Sequence, residues 1–238
     1  MTTIAANLQS VRQRIASACA AAQRDVNEVT LLPVSKTFGP EAVREAHAAG
    51  EQAFGENYIQ EAVEKQALLA DLPLQWHCIG PIQSNKTRLV AAHFAWAHTV
   101  DRLKIAQRLS EQRPADLPPL QVCIQVNVDG GPSKAGVQPD EALALAREVA
   151  KLPRLALRGL MTIPEPAEDF AAQLAVHRQA RALFDQLRAA GLRLDTLSMG
   201  MTADLEAAIH AGSTMVRVGT AIFGARAKKP TSSAPAGA

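Results

Sequence analysis

Apolar positions recur at helical spacing over residues 4 to 22, where Ile4, Leu8, Val11 and Ile15 share one face among alanines. The pattern then changes to a short, β-branched run, Val29 to Thr37, which predicts a buried strand carrying Lys36 into a strand-to-helix loop. Gly39 and Pro40 suit a helix start, and that helix runs through Val43 and Ala46 to Gly50. From there strands and helices alternate. The further strands are Gln52–Gly55, Leu74–Gly80, Ala95–Val100, Leu120–Val128, Leu155–Thr162, Thr196–Gly200 and Thr214–Thr220. Helical patterns fall between them, through Val63 and Leu68, then Leu89 and Val90 with Ser84 as N-cap, then Leu103 to Leu109. Others open at Pro139-Asp140-Glu141, span 167 to 190, and run through Leu205 and Ile209 to Gly212.

Eight strands alternating with helices predict an α/β fold, a single-domain (β/α)8 barrel with an extra N-terminal helix. The competing open sheet is disfavoured by the lack of a G-x-G-x-x-G fingerprint after the first strand. The expected domain is 1–227, followed by a low-complexity tail, 228–238, expected to be disordered.

Composition narrows the partners. Of the 238 residues 47% are hydrophobic and 20% charged, enough apolar material for a large core, and the net charge of +2 argues against nucleic acid or an anionic membrane. The first residues lack the apolar stretch of a signal peptide or membrane span, so a cytoplasmic protein is expected. Cys19, Cys78 and Cys123 are widely spaced, and the histidines lack ligand spacing, so neither disulfide nor metal is expected.

In a closed barrel the ends of strands one, seven and eight are neighbours. Lys36, Ser198-Met199-Gly200 and Arg217-Val218-Gly219-Thr220 therefore meet at one side of the mouth, where this fold usually binds phosphate. Ser198, Thr202 and Thr220 offer hydroxyls, and Gly200 and Gly219 allow close backbone approach. A strand-end lysine can snorkel to the rim as a mere charge, or, in a dry pocket, act as an amine toward aldehydes. Beside a phosphate cradle, the second role suits a phosphorylated aldehyde. By strand alternation Arg217 shares a face with Gly219 and points inward. Its partner is either an internal carboxylate or a ligand acceptor such as a pyridine nitrogen.

Val34-Ser35-Lys36-Thr37, Phe54-Gly55-Glu56-Asn57-Tyr58 and the run Trp76 to Lys86 together carry a family pattern. So do Ser198-Met199-Gly200-Met201-Thr202 and the run Gly212 to Gly224. From about Val29 to Arg226 the chain resembles the pyridoxal-phosphate homeostasis proteins, single-domain relatives of the alanine racemase N-terminal barrel. The resemblance implies a fold-type III barrel binding pyridoxal 5′-phosphate (PLP) as a Schiff base on Lys36, with Arg217 facing the pyridine nitrogen. It also implies phosphate contacts from Ser198, Gly219 and Thr220, with backbone help around Met199 and Gly200. Asn57, His77 and Met161 would line the ring, although a histidine such as His77, taken alone, is more often a satisfied core histidine. Phe38 stands where relatives often carry a basic residue, Thr202 where a serine is usual, and Lys134 matches a family lysine or is a solvated loop charge.

The function implied is a monomeric PLP carrier serving intracellular PLP homeostasis without robust turnover, its partners PLP-dependent apoenzymes or PLP-supplying enzymes. No catalytic residue is assigned. The alternatives are a PLP-dependent racemase or lyase, with His77 or Tyr58 as second acid/base, and a Schiff-base aldolase acting on sugar phosphates.

Overall fold

The computed structural model describes residues 3–130 and 135–225. Eight parallel strands follow one another around a ring: β1 (Thr30–Pro33), β2 (Ala53–Glu56), β3 (Gln75–Cys78), β4 (Trp96–Val100), β5 (Leu120–Gln125), β6 (Leu155–Met161), β7 (Thr196–Ser198) and β8 (Met215–Val218). β8 pairs with β1 along its length, Thr30 opposite Met215 through Pro33 opposite Val218. The ring closes between β1 and β2 through one bridge, Val34 to Gly55. This is the expected (β/α)8 barrel.

The helices α1 (Ile4–Ala21), α2 (Pro40–Ala48), α3 (Ile59–Leu68), α4 (Thr87–His93), α5 (Leu103–Gln112), α6 (Ala142–Val149), α7 (Phe170–Ala189), α8 (Leu205–His210) and α9 (Thr220–Phe223) cover the outside. None is long and apolar enough to cross a membrane, and the described residues hold no His/Cys/Asp/Glu group fit for a metal. The predicted helical face of α1 is the one buried, with Leu8, Val11 and Ile15 packed into the main core beside Val216 and Val218. Pro40 takes the first position of α2, as its fixed φ favours.

Several boundaries differ from the sequence expectation. β1 stops at Pro33, so Lys36 stands beyond the strand on a turn closed by Phe38 N–H donating to Ser35 O at 3.1 Å. Ser84 does not cap α4 with its side chain; it opens a 3-10 turn, and its carbonyl accepts Thr87 Oγ1 at 2.9 Å. β5 ends at Gln125, with Val126 bridged to Val137. β7 ends at Ser198 because Gly200, at φ +93°, turns the chain out of extended geometry. Thr220 belongs not to β8 but to the first turn of α9. Lys134 and the expected 228–238 tail lie outside the described residues.

The barrel interior is separate from the core beneath the helices. It holds two small apolar clusters, Leu32, Val34, Ile79 and Met215 on one side, and Trp96, Cys123 and Met161 on the other. Polar side chains from β3, β4, β7 and β8 run among them.

Candidate functional site

At the C-terminal ends of the strands, a cleft of about 250 Å³ opens into the mouth of the barrel. The β1 turn supplies Val34, Lys36 and Phe38, and the ends of β2, β3 and β6 supply Asn57, Ile79 and Ile163. The loop after β7 supplies Met201, Thr202 and Ala203; β8 supplies Arg217, and the last stretch adds Gly219, Thr220 and Gly224. A second hollow of about 250 Å³ adjoins it, sharing Asn57, Ile79 and Ile163 and reaching Thr99 and Gln125.

Local structure explains how these groups are placed. The turn bearing Lys36 continues through Thr37, which adopts φ +68°, a conformation that a β-branched residue takes only when its surroundings impose it. The imposing bonds are Phe38 N–H to Ser35 O and Thr37 N–H to Glu61 Oε1, both 3.1 Å. Asn57 is held by Gly80, whose missing Cβ lets the backbones of the two residues touch. Its Oδ1 is buried without a hydrogen-bond partner among the described residues.

Arg217 lies inward, as alternation along β8 predicts, while Val216 and Val218 pack outward. Its guanidinium donates to Ser198 Oγ at 2.8 Å and to Thr162 O at 2.9 Å. The acceptors are a hydroxyl and a carbonyl, not the internal carboxylate that was one of the two expected partners. Burial lowers its pKa to about 10, so it remains a cation at neutral pH.

Beneath the cleft, Ser198 Oγ also meets His98 Nδ1 at 3.0 Å, and His98 Nε2 meets His77 Nδ1 at 3.0 Å. His77 Nε2 in turn faces Gln75 Oε1 at 3.1 Å, and its ring stacks on Trp96 at 5.1 Å. Burial pushes His77 down to about 3. It drives His98 well below the usual imidazole value, with His77 and Arg217 adding to the effect. Both rings are therefore neutral.

Of the residues expected at the site, the cleft brings together Lys36, Asn57, Arg217, Gly219 and Thr220. The others lie elsewhere. Ser198 is wholly buried below the cleft, its hydroxyl engaged by Arg217 and His98, so that of the three expected hydroxyls Thr202 and Thr220 line the cleft and Ser198 does not. His77 is a satisfied interior histidine, and Met161 fills the barrel between Trp96 and Cys123. Met199 points outward into the core formed with Ala208 and Ala211 and spends its N–H on Met215 O at 3.1 Å, and Gly200, whose carbonyl accepts the Arg217 N–H at 2.9 Å, is not among the residues lining the cleft. Ile79, Ile163, Met201 and His98 had no place in the sequence-derived site. Thr202, one of the three hydroxyls expected at the mouth, does line the cleft, and Met201 could have been found, since it stands in the motif that contains Ser198.

The charges of the cleft are Lys36 and Arg217, and no carboxylate lines it among the described residues. Thr202 and Thr220 add hydroxyl donors on the α9 side. Such a wall attracts an anion carrying several acceptor oxygens and places one primary amine against it.

Comparison with known proteins places this geometry among relatives. The model of the alanine racemase N-terminal domain matches residues 3–227. The pyridoxal phosphate homeostasis protein of Pseudomonas aeruginosa is 63% identical over 226 residues, covering 95% of this chain and 97% of that protein. Its Escherichia coli counterpart is 54% identical over 229 residues, covering 95% and 98%. Among solved structures, PipY of Synechococcus elongatus with PLP bound is similar at a TM-score of 0.81 and 39% identity, over 93% of this chain and 100% of that one. An alanine racemase of Clostridium difficile, at 16% identity and a TM-score of 0.71, shares the fold over 93% of this chain and 57% of its own.

Proposed function

The chain belongs to the alanine racemase N-terminal domain family and, within it, to the pyridoxal phosphate homeostasis proteins, and from that premise we propose that it binds PLP as a Schiff base on Lys36 and serves as a PLP carrier. The observation that carries this reading is the cleft itself. Among the described residues one lysine and one arginine face a wall of hydroxyls and glycine backbone with no carboxylate, a donor set suited to a phosphate dianion attached to an aldehyde. The buried Asn57 Oδ1, unpartnered among the described residues, is one more polar atom poised for a ligand. PLP supplies an aldehyde carbon that condenses with a primary amine.

In this assignment Lys36 provides the amine and Thr202, Gly219 and Thr220 hold phosphate. Arg217 stands as a fixed cation donor for the pyridine nitrogen. Because arginine does not surrender its proton near neutral pH, it favours the unprotonated nitrogen and restrains electron withdrawal by the ring. Ser198 takes the role of fixing Arg217, with His98 behind it.

The racemase or lyase alternative needs a second acid or base at the cleft. His77 has both ring nitrogens spent inside the barrel, and Tyr58 is 51% exposed and not part of the cleft wall. These placements support a carrier over an enzyme with turnover. The open mouth, rimmed by exposed Ile163 and Met201, supports exchange of PLP with apoenzymes or supplying enzymes.

The test is chemical. Purified protein saturated with PLP, reduced with borohydride and digested, is expected to carry the pyridoxyl mass on Lys36. Label found principally on another lysine, or on none, would overturn the assignment.

A further inference from the structure

Ser35, the residue before Lys36, is wholly buried and is tied to a charged pair that the cofactor chemistry does not use. Its hydroxyl donates to Glu56 Oε1 at 2.6 Å, and its carbonyl accepts from Lys65 Nζ at 2.9 Å. The same Lys65 Nζ donates to Glu56 Oε1 at 2.7 Å. Both partners lie inside the protein, their side chains 4% and 0% exposed. Glu56 ends β2, Lys65 sits on α3, and Ser35 leads into the turn after β1. Three elements therefore meet at one carboxylate oxygen directly behind the lysine.

We propose that Glu56 and Lys65 are positioning residues for Lys36: their buried ion pair clamps Ser35 by its hydroxyl and carbonyl and so aims the Lys36 amine into the cleft. This inference rests on Lys36 being the attachment point for PLP.

Stability alone is a poor reason for such a pair. Two charges taken out of water cost more than well-packed apolar side chains of the same volume, so a buried ion pair is often neutral or unfavourable for folding. Here the desolvation is severe, because the second carboxylate oxygen, Glu56 Oε2, is buried with no hydrogen-bond partner among the described residues. What the pair provides instead is direction. Ser35 N–H already pairs with Gly55 O at 3.1 Å, so Ser35 is fixed at its amide, hydroxyl and carbonyl together. On the far side of Lys36, Glu61 holds the Thr37 N–H and lies 3.8 Å from the same Lys65 ammonium. Lys65 thus links the anchors on either side of Lys36, across a turn whose next residue holds a costly φ. Attack on an aldehyde requires the amine within a narrow approach, and a misplacement of about 1 Å can cost on the order of a hundredfold in rate.

The experiment separates aim from folding and from phosphate binding. In the double variant Glu56→Gln/Lys65→Met no buried charge is left unpaired, the half-exposed Glu61 carboxylate losing only its 3.8 Å contact, and the amide can still accept from Ser35. The Ser35 carbonyl, however, loses its ammonium. Attachment of PLP, followed by absorbance, is expected to slow by about tenfold or more. Tm should stay within a few degrees of the unmodified protein, and affinity for pyridoxine 5′-phosphate, which has no aldehyde, should be retained. Lys65→Arg, which keeps the cation, is expected to recover much of the rate. Ser35→Ala, which spares the ion pair and removes only the hydroxyl clamp, should slow attachment less than the double variant and still measurably. If the double variant does not fold, the Ser35→Ala rate decides the matter. An unmodified rate in either variant, or an equal loss of PLP and pyridoxine 5′-phosphate, would overturn the positioning role. Failure of borohydride to label Lys36 in the unmodified protein would instead overturn the premise about PLP.

Discussion

At the scale of single residues, the division of labour between Thr202 and Ser198 is the sharpest outcome. Both stand in one motif, and both are hydroxyls, yet one lines the cleft and the other is sealed below it. Thr202→Val with Thr220→Val removes two donors to the proposed phosphate. Each hydrogen bond to a charged group is worth about 1.5–3 kcal/mol, so PLP affinity should fall by about tenfold at least, while unphosphorylated pyridoxal is little affected. Equilibrium titration of both ligands checks this, and equal losses would point to damage of the barrel. Ser198→Ala should act differently. It frees Arg217 of one hydrogen bond, so its effect is expected on the spectrum of bound PLP and to be the same with or without the phosphate.

At the scale of elements, the cleft depends on how loops are pinned to helices. The loop from Met199 to Asp204 carries Thr202, and Asp204 clasps it. One carboxylate oxygen accepts the Met201 N–H at 2.7 Å, and the other meets His177 Nε2 of α7 at 2.9 Å. From the opposite side, Arg14 of α1 donates to Thr202 O at 3.0 Å and pairs with Glu206 of α8 at 2.8 Å. The N-terminal helix is thereby part of the cradle's support. Asp204→Ala leaves the Met201 N–H and a second His177 nitrogen without partners, since His177 Nδ1 is already unpartnered among the described residues. The expected loss is on the order of 2–3 kcal/mol in urea unfolding, with weaker binding of pyridoxine 5′-phosphate. Unchanged binding in the presence of a lowered urea midpoint would confine Asp204 to stability.

At the scale of the whole molecule, the polar chain from Gln75 through His77, His98 and Ser198 to Arg217 threads a barrel that is otherwise packed with apolar side chains. It makes global stability depend on pH in a direction that follows from burial. His77 has a folded pKa of about 3, below the value near 6.5 of an exposed imidazole, and His98 is shifted the same way. Between those values the unfolded chain binds more protons than the native one. The stability contributed by keeping the rings neutral is therefore complete above about pH 6.5 and is lost as pH falls toward 3, at up to ~1.4 kcal/mol per pH unit per histidine. Denaturant unfolding between pH 7.5 and 5 measures the slope, and His77→Gln should flatten it. A slope unchanged by that variant would mean that other groups set the acid sensitivity.

The alternation of strand and helix was legible in the sequence because each buried strand is a short apolar run and each covering helix repeats its apolar face. Closing eight such units brings the ends of β1, β7 and β8 together whatever the loops do, and Lys36 and Arg217 could be placed at the mouth on that ground. Depth along the barrel was not legible. Period-two alternation says that Ser198, His77 and Met161 face inward, but only the register and tilt of paired strands decide whether an inward residue ends in the cleft or below it. Nor could the sequence announce the clamp behind Lys36. Glu56 stands in one of the family motifs and Lys65 in a helical pattern, but nothing in their spacing pairs them, and only the packing of α3 against the ends of β1 and β2 brings both charges, out of water, to one serine.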